Sequence, residues 1–118
     1  MNPTLQSLRR GAAAALFLCA AVGPAIFVTD GPPPESTAIR IVIRRAGDAV
    51  FEGDTDLSQL KKKPNALVEY LYRDNTFPAG CLLMTGTGIV PPNDFTLQAG
   101  DEVAITIDGA GTLVNVMA

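Results

Sequence analysis

Histidine is absent from this 118-residue chain, and so is tryptophan. Without histidine the chain has neither the commonest general base near neutral pH nor the commonest metal ligand. Only two cysteines occur, Cys19 and Cys81. They match no zinc spacing and are too few for a disulfide framework, so reduced, buried thiols in a cytoplasmic setting are expected. A cysteine–histidine nucleophile is excluded within the chain. Charge of one sign is also scarce: a net charge of −3 gives no electrostatic reason to expect nucleic acid. The Arg44-Arg45 pair and the Lys61-Lys62-Lys63 run read as solvated surface. What remains, 47% apolar and 18% charged residues, suits one folded domain rather than a disordered chain.

Residues 11–29 carry no charge until Asp30, and Arg9 and Arg10 precede them. This imitates an export signal or a membrane anchor. Gly23-Pro24 interrupts the run, and Leu16-Phe17-Leu18 stand where a lipoprotein signal would carry small residues before its cysteine. The preferred reading is an alanine-rich leader of uncertain role over residues 1–22. It runs into a buried strand at Ala25-Ile26-Phe27-Val28, with Ile26 and Val28 facing the core. No membrane association is expected on that reading.

Past the break at Gly31-Pro32-Pro33-Pro34, Ile39, Ile41 and Ile43 alternate with Arg40, Val42 and Arg44. Period two with β-branched residues predicts a strand with one buried face. Ala46-Gly47-Asp48 predicts a tight turn, and Ala49–Glu52 a returning strand. Pro64 suits the first turn of a helix, and Leu67, Val68, Leu71 and Tyr72 give that helix an apolar face to lay on a sheet. Glu69 and Arg73 stand four apart in the favourable order. Leu82-Leu83-Met84 predicts a buried strand ending in Thr85-Gly86-Thr87-Gly88. Val103, Ile105 and Ile107 alternate again, and Gly109-Ala110-Gly111 turns into 112–116. Five or six strands and one short amphipathic helix make an α+β, mainly-β domain.

Few residues could carry chemistry. Gly86-Thr87-Gly88 is no phosphate loop, because no helix and no lysine follow it. Glu52, Asp54 and Asp56 would point the same way on an extended segment, a geometry open to weak cation binding. The glycine and distal glutamate of a calcium loop are missing, so a solvated acidic turn is the first reading. Asp101-Glu102 is assigned to turn geometry. Thr85 and Thr87 sit where a strand is expected to end, a place where rigid scaffolds present functional groups. Their hydroxyls could bind a small substrate or merely satisfy the turn, and spacing alone leaves both open.

The stretch Leu82–Pro92, with Asp94-Phe95-Thr96-Leu97-Gln98 and Gly100-Asp101-Glu102-Val103, resembles the C-terminal region of fumarylacetoacetate hydrolase-family enzymes. Val50–Thr55, Ser58-Gln59-Leu60, the Leu67–Tyr72 helix and Gly109–Asn115 fit the same family in the same order, and Gly23-Pro24-Ala25-Ile26 resembles the segment before them. The resemblance runs from about residue 19 to the end and is closest to the 2-keto-3-deoxy sugar acid dehydratases and hydrolases. It implies a partial mixed β-roll over residues 23–118. It also implies a small 2-oxo acid as ligand and, in full-length members, Mg²⁺ or another divalent cation that polarises the acid's carbonyl. The family's metal ligands, a glutamate-x-glutamate pair and an aspartate, and its lysine precede the matched region, and this chain contains no Glu-x-Glu. Thr87, matching the threonine of the family's Thr-Gly-Thr motif, is the one substrate-binding residue carried over. No catalytic residue, no metal ligand and no cofactor is assigned to this chain alone. It is expected to be a truncated family member, inactive by itself, that self-associates or meets its missing half. The alternatives are the C-terminal subunit of a split enzyme and a small exported β-domain with a binding role.

Overall fold

The computed structural model describes residues 21–118. Four strands form one sheet, antiparallel throughout: β1 (Ala38–Arg45), β2 (Asp48–Asp56), β3 (Glu102–Ile107) and β4 (Gly111–Val116), in the order β2-β1-β3-β4. Between β2 and β3 stand a 3-10 turn (Leu57–Gln59) and one helix, α1 (Pro64–Tyr72).

The β1–β2 hairpin forms as its alternation predicts, through a two-residue turn with both residues at positive φ, Ala46 at 52° and Gly47 at 91°. Such turns match the twist of the strands they join. The register slips between Ile43 and Arg44, so that Val50 is an extra residue on β2, a β-bulge beside the sheet's rim. β3 then pairs along the other edge of β1, with Ile41 opposite Ile105 and Ile43 opposite Val103.

The pleat sorts the two faces. Ile39, Ile41 and Ile43 lie on one face with Phe51, Val103 and Ile105, their Cα partners in the sheet. Ile43 is 2% exposed, and it and Leu60 are the buried apolar side chains among the described residues. The opposite face carries charge: Arg40 lies 3.8 Å from Glu52 and 3.7 Å from Asp54, and Arg44 lies 3.8 Å from Glu102. These exposed pairs add little stability but suit a face turned to water.

The 89–101 segment covers the apolar face at one end. Its anchor is Arg45, the last residue of β1. The Arg45 Nε and Nη2 groups donate to the two carboxylate oxygens of Asp101, each at 2.8 Å, and Nη2 also reaches the Thr96 carbonyl at 3.0 Å. Asp101 is fully buried and accepts a further bond from the Gln98 amide at 2.8 Å. The Arg45 guanidinium and that amide hold the Asp101 carboxyl at about 2, against an ordinary 3.8. Asp101 therefore shapes the turn, as expected, and also closes a two-pronged ion pair that joins residues 56 apart in sequence.

Several expectations fail here. Leu82-Leu83-Met84 forms no strand, and its side chains are 70%, 41% and 76% exposed. Ala25–Val28 forms none either, and Ile26 and Val28 stand in solvent. That segment instead touches the β3–β4 turn through Pro24, near Gly111, and Phe27, near Gly109. Cys81 is free and exposed rather than buried; Cys19 lies outside the described residues, as does most of the 1–22 leader. The strands number four among the described residues. α1 keeps its apolar side only half covered, with none of its residues buried. Arg73 stacks over the Tyr70 ring at 4.4 Å rather than pairing with Glu69. No helix among the described residues is long and apolar enough to cross a membrane.

Candidate substrate-binding cleft

Two glycines decide where the Thr-Gly-Thr-Gly loop sits. A Cβ on Gly88 would stand 2.6 Å from the Thr55 hydroxyl and 3.2 Å from the Gln59 Cβ, and one on Gly53 would stand 2.7 Å from Ile89. Only bare backbone lets the loop lie this close against β2 and the 3-10 turn. Gly86 has open space around it. At Gly88 the backbone thus approaches the chain's own β2.

With the loop seated there, Gly86 and Thr87 face Gln59, Leu60 and Leu67 across a cleft of about 200 Å³, and Lys61 and Lys62 contribute to its lining. The Thr87 hydroxyl oxygen accepts a bond from the Ile89 amide at 3.1 Å, and its proton has only a longer contact of 3.3 Å to the Ile89 carbonyl. A hydroxyl has one proton and two lone pairs. The amide fixes the oxygen, and the proton can turn to a ligand with little loss. Thr85 is exposed on the same loop. A wider hollow, about 570 Å³, opens under the 90–97 overhang between Ile41, Val103 and Phe95. Its lining holds no titratable group.

The carboxyls that shift move down, away from neutrality: Asp56 through the Ser58 hydroxyl bond, Asp101 through Arg45. Arg45 and Tyr72 move up, the first through its bond to Asp101 and the second through the neighbouring Cys81 thiol. A general base working near neutral pH needs the opposite tuning. The donor set does not fit a divalent cation either, because no three of the acidic, histidine or cysteine side chains described stand together. Glu52 and Asp54 turn to Arg40, and Asp56 accepts from the amide and hydroxyl of Ser58. The acidic turn is thus committed within the chain.

Reading the sequence alone picked out Thr87 and missed its surroundings. Gln59, Lys61 and Lys62 lie 25 to 28 residues upstream in the chain, and the lysine run carries no sign of which ammonium groups border a cleft.

The family model described as fumarylacetoacetate (FAA) hydrolase C-terminal matches residues 9–118, ten residues earlier than the resemblance read from the motifs. A probable 2-keto-3-deoxyxylonate dehydratase of Haloferax volcanii is 37% identical over 98 residues, which is 82% of this chain and 34% of the relative. The 2-dehydro-3-deoxy-D-arabinonate dehydratase of Saccharolobus solfataricus is 41% identical over 97 residues, 81% of this chain and 33% of the relative. A solved structure of 2-keto-3-deoxy-D-arabinonate dehydratase, complexed with magnesium and 2,5-dioxopentanoate, superposes with a TM-score of 0.70 at 39% identity. The match covers 76% of this chain and 33% of that one. The chain thus spans about a third of the length of the curated relatives it matches. Its match over residues 9–118 to the C-terminal model, and the superposition of its fold on a solved dehydratase, show that it belongs to the fumarylacetoacetate hydrolase family.

Proposed function

We propose that this chain is the substrate-holding wall of a 2-oxo acid dehydratase or hydrolase, with Thr87 as its contact to the acid, and that it runs no chemistry by itself. The Thr87 hydroxyl carries this reading: its oxygen is fixed by the Ile89 amide and its proton is engaged only by the longer, 3.3 Å bond to the Ile89 carbonyl, at the edge of a cleft of about 200 Å³. Two dehydratase relatives and a solved relative bound to magnesium and 2,5-dioxopentanoate supply the substrate class. In such enzymes the cation polarises the 2-oxo carbonyl. Because the described acidic side chains are not grouped to hold a cation, we assign the metal, and the proton transfers that follow, to structure beyond them. Thr87 donates to the acid and fixes its orientation. Gly88 keeps the loop close to β2 so that the hydroxyl stays in place. Lys and Thr side chains on the cleft are the groups this chain contributes.

Fragment complementation tests the reading. The chain is mixed with the Saccharolobus solfataricus dehydratase lacking the third that this chain matches, and dehydration of 2-dehydro-3-deoxy-D-arabinonate is followed with Mg²⁺ present. Neither piece alone should turn over substrate, the mixture should, and Thr87→Val in this chain should remove most of the gain. Turnover by the chain alone, or a mixture indifferent to Thr87→Val, sinks the proposal.

A further inference from the structure

Of the three lysines in the 61–63 run, one is already spoken for. Lys63 Nζ lies 2.6 Å from the Glu35 carboxylate and also acts on Asp56. Lys61 and Lys62 have no carboxylate within ion-pairing distance among the described residues, and they line the cleft that holds Thr87. No aspartate or glutamate shares that lining. The first turn of α1 borders the same space through Leu67. Two lysines without a carboxylate partner, an amide side chain and a threonine therefore line one small space with no anion to balance them.

We infer that Lys61 and Lys62 form an anion subsite that recognises a carboxylate of the small acid held at Thr87, making the pair specificity-determining residues for charged over neutral ligands. The inference rests on the proposed function of the cleft and adds the discriminating charge. Thr87 offers one neutral donor and cannot by itself tell a carboxylate from an ester. Two ammonium groups can, because an ester leaves both without a charged partner. Their long stems leave the geometry loose, so the pair acts on affinity rather than on the placement of reacting atoms.

Direct binding to the full chain separates the two ideas, using pyruvate as the charged probe and methyl pyruvate as its neutral counterpart, followed by NMR shifts of the Thr87 and Ile89 amides. Wild type should bind pyruvate more tightly than the ester, with an affinity that falls as salt rises. The double variant Lys61→Gln/Lys62→Gln should lose about tenfold in pyruvate affinity and keep its ester affinity. Lys61→Arg/Lys62→Arg should restore most of the preference. Melting curves of each variant, unchanged for exposed side chains such as these, certify the fold. If the glutamine pair weakens acid and ester alike, or neither, the subsite is refuted, while a Thr87→Val effect on both probes keeps the cleft reading alive. If the lysines matter and Thr87→Val does not, the subsite stands and the role given to Thr87 falls. Absence of pyruvate binding to the wild-type chain overturns both.

Discussion

The β1 end of the sheet and the 82–86 segment start from similar sequence material and meet different fates. Ile39–Ile43 and Leu82–Met84 are both short apolar runs. The first is paired on both sides, by β2 and by β3, and its Ile43 is almost wholly buried. The second has no strand beside it, and Leu82 and Met84 are mostly exposed. Side-chain hydrophobicity does not make a strand without a neighbour to take its amides and carbonyls. In this chain the sheet supplies such neighbours to β1, and nothing described supplies them to Leu82–Met84.

The contrast can be broken hardest at Arg45. Arg45→Ala would leave the Asp101 carboxylate buried without its guanidinium and release Thr96, so the 89–101 overhang should come away from the apolar face. This is the largest expected loss, read as a low or absent cooperative melt in chemical denaturation, because an unpaired buried charge is among the costliest defects. The same pair predicts an acid limit. The Asp101 carboxyl is depressed to about 2 from 3.8, so its contribution is complete above the unfolded value and lost as pH falls through the folded one. Wild-type stability should therefore drop between about pH 4 and pH 2, read from denaturant melts taken across that range.

Next comes Ile43→Ala, which removes the most buried apolar side chain described. It should cost about 2–5 kcal/mol in denaturant melts. Smaller again is Gly88→Ala, whose methyl would meet the Thr55 hydroxyl. An overpacking loss of about 1–3 kcal/mol is expected, with shifted amide signals at Thr87 and Ile89. Gly86→Ala, two residues away with open space around it, is the matched control and should leave those signals in place. The smallest effect belongs to the exposed run. Leu82→Ser should change stability by no more than about 0.5 kcal/mol. A loss as large as that of Ile43→Ala would mean that Leu82 is buried in solution and would erase the contrast.

Local signals carried much of the fold. The period-two run at 39–44 and the Ala46-Gly47 pair were enough for the hairpin, because alternation and turn conformation are decided within a few residues. Pro64 marked the start of α1 to the residue for the same reason: its ring presets the backbone and its missing amide is not needed there. The motif run from Leu82 to Val103 was enough for the family. The site was legible only in part. Thr87 could be named, but its choice between holding substrate and satisfying the turn could not, since both uses draw on the same hydroxyl.

Tertiary structure decided the rest, and distance along the chain is the reason. Arg45 and Asp101 each look like a surface or turn residue until the register of β1 and β3 brings them to one rim. The lysine run is exposed, as its sequence suggests, and only the loop at 86–88 opposite it shows that Lys61 and Lys62 border a cleft while Glu35 takes Lys63. Gly53 and Gly88 look like ordinary strand and turn glycines, and only the contact between β2 and the loop shows that a methyl group would not fit. The hairpin and the helix could be read locally, because their causes lie within a turn or a pleat. Which apolar runs found partners, which charges were paired and which were left facing the cleft depended on residues tens of positions apart, and those meet only in the folded chain.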